Sequence, residues 1–108
     1  RELVILRVAI LNHAPYEFEA HVAHALHAGV SQDKIDAVRN LTLSDLFDDT
    51  ERTVLQLTDT MTQEIDVSDA LFAQVEQLFQ GQQLLDLCIT IGAYNMVSRV
   101  LVALRIGH

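Results

Sequence analysis

A chain of 108 residues, half of them hydrophobic and with only four glycines and one proline, is long enough for one domain with a modest core and too apolar to be disordered. A net charge of −8 with no basic tract to offset it argues against nucleic acid and anionic membranes as partners. The single cysteine, Cys88, excludes an internal disulfide; with no basic leader or small-residue cleavage site at the apolar N-terminus, the expected compartment is the reducing cytoplasm.

Residues 2–12 (ELVILRVAILN) are apolar nearly all round apart from Glu2 and Arg7. Their β-branched content would also suit a strand; a helix is expected because no other segment reads as a strand able to pair with it. Asn12–Ala14 is a turn, Pro15 sits at a first helical position, and the second helix runs to Ala28 and stops at Gly29. Ser31 caps a third helix over 32–40, with Ile35 and Val38 as apolar contacts and Val30 as a staple before the cap. Residues 41–48 (LTLSDLFD) form a connector whose apolar anchors pack down. Asp48 or Asp49 caps a fourth helix near 50–64, where Val54, Leu57, Met61 and Ile65 recur at helical spacing. Ser68 caps a fifth near 69–80, with Leu71, Phe72, Val75, Leu78 and Phe79 on one face, and Gly81 separates it from the sixth.

The sixth segment, 82–105, has the length and hydropathy of a membrane span, but Asp86, Asn95 and Arg99 inside it are each costly in lipid. The expectation is a central helix, buried by the other five or placed at a subunit interface. Asp86, Thr90 and Tyr94 fall on one side of it, and Cys88, Gly92, Asn95 and Arg99 nearly opposite, so its two sides face different surroundings. The fold class is therefore all-α: one domain over 1–108, a bundle of about six helices, with short turns near residues 13 and 66 that favour antiparallel neighbours.

Chemistry concentrates in Pro15–Gly29, which holds three of the five histidines. Glu17, His21 and His24 fall within roughly 60° on a helix of about 100° per residue. An i,i+4 carboxylate–imidazole pair can hydrogen-bond, orient the ring and serve proton transfer. The plain alternative is an exposed pair worth roughly 0.2–0.5 kcal/mol. The three residues also resemble part of a metal-ligand set, but one helix supplies only part of a coordination sphere and no second Glu-x-x-His or His-x-x-x-His follows, so no metal or cofactor is expected. His27 points away from the stripe, His13 lies in a turn, and His108 is terminal. Glu2 is either an ordinary first-turn acid or a carboxylate on the buried side of an apolar helix. Asn95 and Arg99 are either structural or a polar clamp for a substrate carboxylate. Cys88 reads as a packed thiol. No Cys-x-x-Cys, dinucleotide loop, phosphate loop or Ser-His-Asp pattern is present.

E-L-V-I-L-R-V-A at 2–9, Y-E-x-x-x-H at 16–21 and Y-N-M-V-S-R at 94–99, in this order, resemble the carboxymuconolactone decarboxylase family, which shares its fold with alkyl hydroperoxidase D. The resemblance spans essentially the whole chain. It implies a helical bundle that assembles as a trimer or hexamer. In the peroxidase branch it implies an early Glu, a Cys-x-x-Cys pair and a His four residues on. Those positions fall here at Glu2, at Ala14 and Glu17, and at His21, so both thiols are absent and thiol peroxidase chemistry has no route. The decarboxylase branch, which lacks the cysteines, implies cofactor-independent loss of CO₂ from a small lactone acid. On that basis His21 is the expected proton-transfer group, with Glu17 and Glu2 orienting it. Arg99 and Asn95, with Tyr16 and His24, are candidates for holding the substrate. The competing expectations are a non-catalytic binding or assembly module and a redox or metal protein. The expected partners are a small acid or lactone and further copies of the chain.

Overall fold

The computed structural model of the chain describes residues 1–40 and 45–106; the first half of the expected apolar connector, at 41–44, and His108 lie outside the described residues. Six helices follow in order: α1 Glu2–Leu11, α2 Pro15–His27, α3 Gln32–Arg39, α4 Asp49–Gln63, α5 Asp69–Leu78 and α6 Gln82–Ala103. No strand occurs among the described residues.

The caps are those the side chains dictate. Ser31 Oγ accepts from the Lys34 amide at 3.2 Å, and Ser68 Oγ from the Leu71 amide at 3.2 Å. Asp48 and Glu51 form a reciprocal capping box, with bonds of 2.7 and 3.1 Å, at the start of α4. Gly29, at φ +95°, turns the chain out of α2 in the left-handed region where a Cβ is penalised.

α1 is the hub. It packs against α2, α3, α4 and α6, which explains why it is apolar on every side: Val4 to Ala9 are all buried. Its two flanks feed two cores. Leu6 and Ala9 join Phe18, Ala25, Ile35, Val38, Phe47 and Leu55. Val4 and Val8 join Leu57, Val75 and Ile91 on the α4–α5–α6 side. The one cation in this run, Arg7, is neutralised by Asp59 of α4 through a two-pronged pair at 2.7 and 2.8 Å.

Three expectations need correction. Ile65 does not pack with Val54, Leu57 and Met61: α4 ends before it, it adopts φ +72° in the turn, and it is 82% exposed. Phe72 and Leu78 are also largely exposed, so α5 buries mainly Val75. Nor do the other five helices bury α6; among its residues only Ile91, Asn95 and Ser98 are fully covered. α6 is long and apolar enough to cross a membrane by length and composition.

A polar seam fastens α6 to its neighbours. The Asn95 amide donates to Thr62 Oγ1 (3.0 Å) and to the Ile91 carbonyl (2.9 Å). The Asn12 amide donates to Asn95 Oδ1 (2.9 Å) and to Ser98 Oγ (2.7 Å). Arg99 Nη2 donates to the Thr62 carbonyl at 2.9 Å. All but the local Asn95–Ile91 bond link residues far apart in sequence, and together they satisfy groups that burial would otherwise leave unpaired.

Candidate acid-base site

Where the first turn of α1 meets the middle of α2, Glu2 and His21 come together. His21 Nδ1 lies 3.4 Å from Glu2 Oε1, and both side chains are mostly covered, at 24% and 17% exposure. A carboxylate can only accept, so the contact requires a proton on Nδ1. That leaves Nε2 as the basic nitrogen of the neutral ring, or as a second acidic N–H once the ring is protonated. Tyr94 of α6 meets the imidazole in a T-shaped contact, with centroids 5.8 Å apart and planes at 86°. His24 lies one turn on, 5.4 Å from the His21 ring, and is exposed.

Glu17 departs from expectation. It does not hydrogen-bond His21. It is 3% exposed, and neither carboxylate oxygen has a hydrogen-bond partner. Burial pushes its carboxyl up from the usual range, and the nearby His21 charge opposes that only in part. The stripe read from the sequence therefore runs from inside to outside: Glu17 buried, His21 half-buried, His24 exposed.

The Glu17 environment carries a stability consequence. An acid held above its usual range in the folded state costs nothing while both states are protonated. The cost grows as pH rises past the unfolded value and through the folded one. Glu17→Gln is expected to stabilise the protein by about 1 kcal/mol near neutrality, because it removes the buried charge while leaving an unpaired amide in its place, and to have little effect near pH 4. Urea unfolding at the two pH values checks this; a net loss near neutrality would mean that the charge has a partner.

The remaining candidates lie elsewhere. Tyr16 is exposed. Asn95 and Arg99 are engaged in the seam with Asn12, Ser98 and Thr62 and are not brought to His21. Burial pushes the Cys88 thiol up, the opposite of what a reactive thiolate needs. Among the described residues, no group of three or more His, Cys, Asp or Glu is arranged to hold a metal ion. Sequence reasoning passed over Tyr94 and Arg1, whose Nη2 donates to the Tyr94 hydroxyl at 3.3 Å. The signal that could have found Tyr94 is its place at the head of Y-N-M-V-S-R.

Two grooves meet at Arg1. One, of about 460 Å³, runs past Glu2, Val30, Thr50 and Val54. The other, of about 350 Å³, runs past Val4, Asp86, Leu87 and Thr90. A separate hollow of about 460 Å³ at the α5–α6 turn, around Phe79, Gly81 and Leu84, is lined by no histidine.

The profile of the carboxymuconolactone decarboxylase family matches residues 1–60, the part of the chain that carries Glu2, Glu17 and His21. Over 106 residues the sequence is 24% identical to the uncharacterised protein YdfG of Bacillus subtilis (strain 168), a match covering 96% of this chain and 72% of that protein. The fold superimposes with a TM-score of 0.91 on the crystal structure of an Agrobacterium tumefaciens protein. That protein is of unknown function and is described as a candidate antioxidant defence protein AhpD; it is 26% identical, and the match covers 99% of this chain and 75% of that one.

Proposed function

The chain belongs to the carboxymuconolactone decarboxylase family, and from that premise we propose that it performs cofactor-independent acid/base chemistry, decarboxylation or proton transfer, on a small lactone or oxo acid. The observation that carries this reading is the His21–Glu2 pair, in which the carboxylate takes Nδ1 and leaves Nε2 for proton transfer, and whose Glu2 itself lines one of the open grooves.

Loss of CO₂ breaks a carbon–carbon bond and leaves its electron pair on the substrate as an enolate. The catalyst has to stabilise that charge and return a proton to oxygen or carbon. In this reading Glu2 fixes the ring through Nδ1, and Nε2 delivers the proton. Glu17, buried and without a hydrogen-bond partner beside His21, keeps a carboxyl close to the ring without competing for Nδ1. Thiol peroxidase chemistry is disfavoured because Ala14 and Glu17 stand where the thiol relatives have their cysteines, and Cys88 is alone and far along the chain. Release of CO₂ from a carboxymuconolactone-type substrate, without added metal or cofactor, tests the proposal. A parent chain that neither decarboxylates nor exchanges a proton on any of a panel of small lactone and oxo acids would overturn it.

Self-association belongs to the same reading. The outer face of α6 exposes Leu85, Ile89, Met96 and Val100, with Gly92 and Ala93 between them and no charged residue in the strip. At 22 residues the helix runs about 33 Å. In a chain of net charge −8, this is where two copies can approach with least repulsion. Ile89→Glu is expected to lower the sedimenting mass to that of a single chain; an unchanged oligomer would place the interface elsewhere.

A further inference from the structure

We propose that Tyr94 is a positioning and binding residue of the His21–Glu2 site, its ring holding the imidazole and its hydroxyl, together with Arg1, receiving the carboxylate of a small organic acid. The inference rests on the acid/base reading above and names the end of the site that would hold the acid. Tyr94 is half-buried and reaches His21 from a third helix, so Arg1 and Glu2 at the start of α1, His21 on α2 and Tyr94 on α6 form one cluster. The T-shaped contact adds a second constraint on rotation of the imidazole, beside its carboxylate anchor.

The hydrogen bonding leaves the right groups free. Arg1 Nη2 donates to the Tyr94 oxygen, so the phenolic proton remains available to an acceptor, as do the other guanidinium N–H groups. Arg1 also lines the 350 Å³ groove along the Asp86–Thr90 flank of α6, the flank that carries Tyr94 one turn further on. Asp86 also lines that groove and would repel an anion, so the place in it for a carboxylate is beside Arg1, whose guanidinium reaches the Tyr94 hydroxyl. The charged or titratable groups around His21 are Glu2 from α1, Glu17 and His24 from α2, and Tyr94 from α6, with Arg1, the residue that precedes α1, reaching the Tyr94 hydroxyl.

The test uses the full chain, levulinate as a small oxo-acid probe, and ¹⁵N NMR of the His21 ring, which reads the tautomer without requiring turnover. In Tyr94→Phe the ring remains, so the tautomer is expected to stay on Nδ1–H, while levulinate affinity falls about tenfold for the lost hydrogen bond to a charged group. Arg1→Gln should weaken levulinate similarly with the same ring signature. Tyr94→Leu should mix the two tautomers. Parent-level affinity in both Tyr94→Phe and Arg1→Gln, or no levulinate binding by the parent, overturns the binding role. An unmixed Nδ1–H tautomer in Tyr94→Leu overturns the positioning role. Absence of turnover in the parent bears on the acid/base reading alone, because neither readout depends on it.

Discussion

His21→Gln is expected to lower turnover of a carboxymuconolactone-type acid by about 10²–10⁴-fold, the range for removing a positioned proton-transfer group, with helix content and assembly unchanged. The fold tolerates the change because His21 belongs to neither buried core cluster and keeps about a quarter of its side-chain surface in water. Circular dichroism and sedimentation verify the fold, and a CO₂-release assay reads the loss. Glu2→Gln should act in the same sense through the tautomer. A glutamine can present its N–H to Nδ1, which keeps that nitrogen unprotonated and denies the ring the doubly protonated form from which Nε2 delivers its proton. Full turnover in His21→Gln would sink the assignment and favour a family member that binds or assembles without catalysis.

Asp59→Ala is expected to cost about 3 kcal/mol of stability, the low end of the range for breaking a buried pair. The arithmetic turns on Arg7. Its side chain is only 4% exposed, and Nη1 already has no hydrogen-bond partner. Removing Asp59 takes away both bonds and leaves a full charge between α1 and α4. The low end applies because Asp59 is itself 26% exposed, so water can reach part of the vacated site. Arg7→Met combined with Asp59→Leu should recover most of the loss, since two apolar groups of similar volume avoid the desolvation altogether. Urea unfolding of the parent, single and double variants checks both. A single-variant loss below about 1 kcal/mol would mean that Arg7 escapes to solvent, as an exposed pair would allow.

Local signals carried much of this protein. Proline at the start of α2, glycine at its end, and Ser31, Asp48 and Ser68 before α3, α4 and α5 act within a few residues of themselves, so helix number and boundaries could be read without the fold. Glu2 stood out because it is the only acid in an otherwise apolar segment. His21 stood out from its spacing to Glu17 and from the family motif.

Contacts between helices decided the rest. Spacing allowed a Glu17–His21 bond, but α1 supplies Glu2 to the ring while burial isolates Glu17 from every partner, and an i,i+4 pattern cannot report what the neighbouring helix brings. Asn95 and Arg99 looked alike as polar residues on an apolar helix; their roles depend on Asn12 and Thr62, which are 83 and 33 residues from Asn95. Hydropathy marks α6 as something to be covered but not by what, because burial within a chain and burial between chains select the same side chains. The sequence by itself determined six helices, three of them closed by side-chain caps and the first of them apolar, and a histidine beside carboxylates. Only the tertiary structure decided which carboxylate holds the histidine, which one is buried alone, and that Tyr94 reaches the ring, because each is a distance between helices rather than a spacing along one.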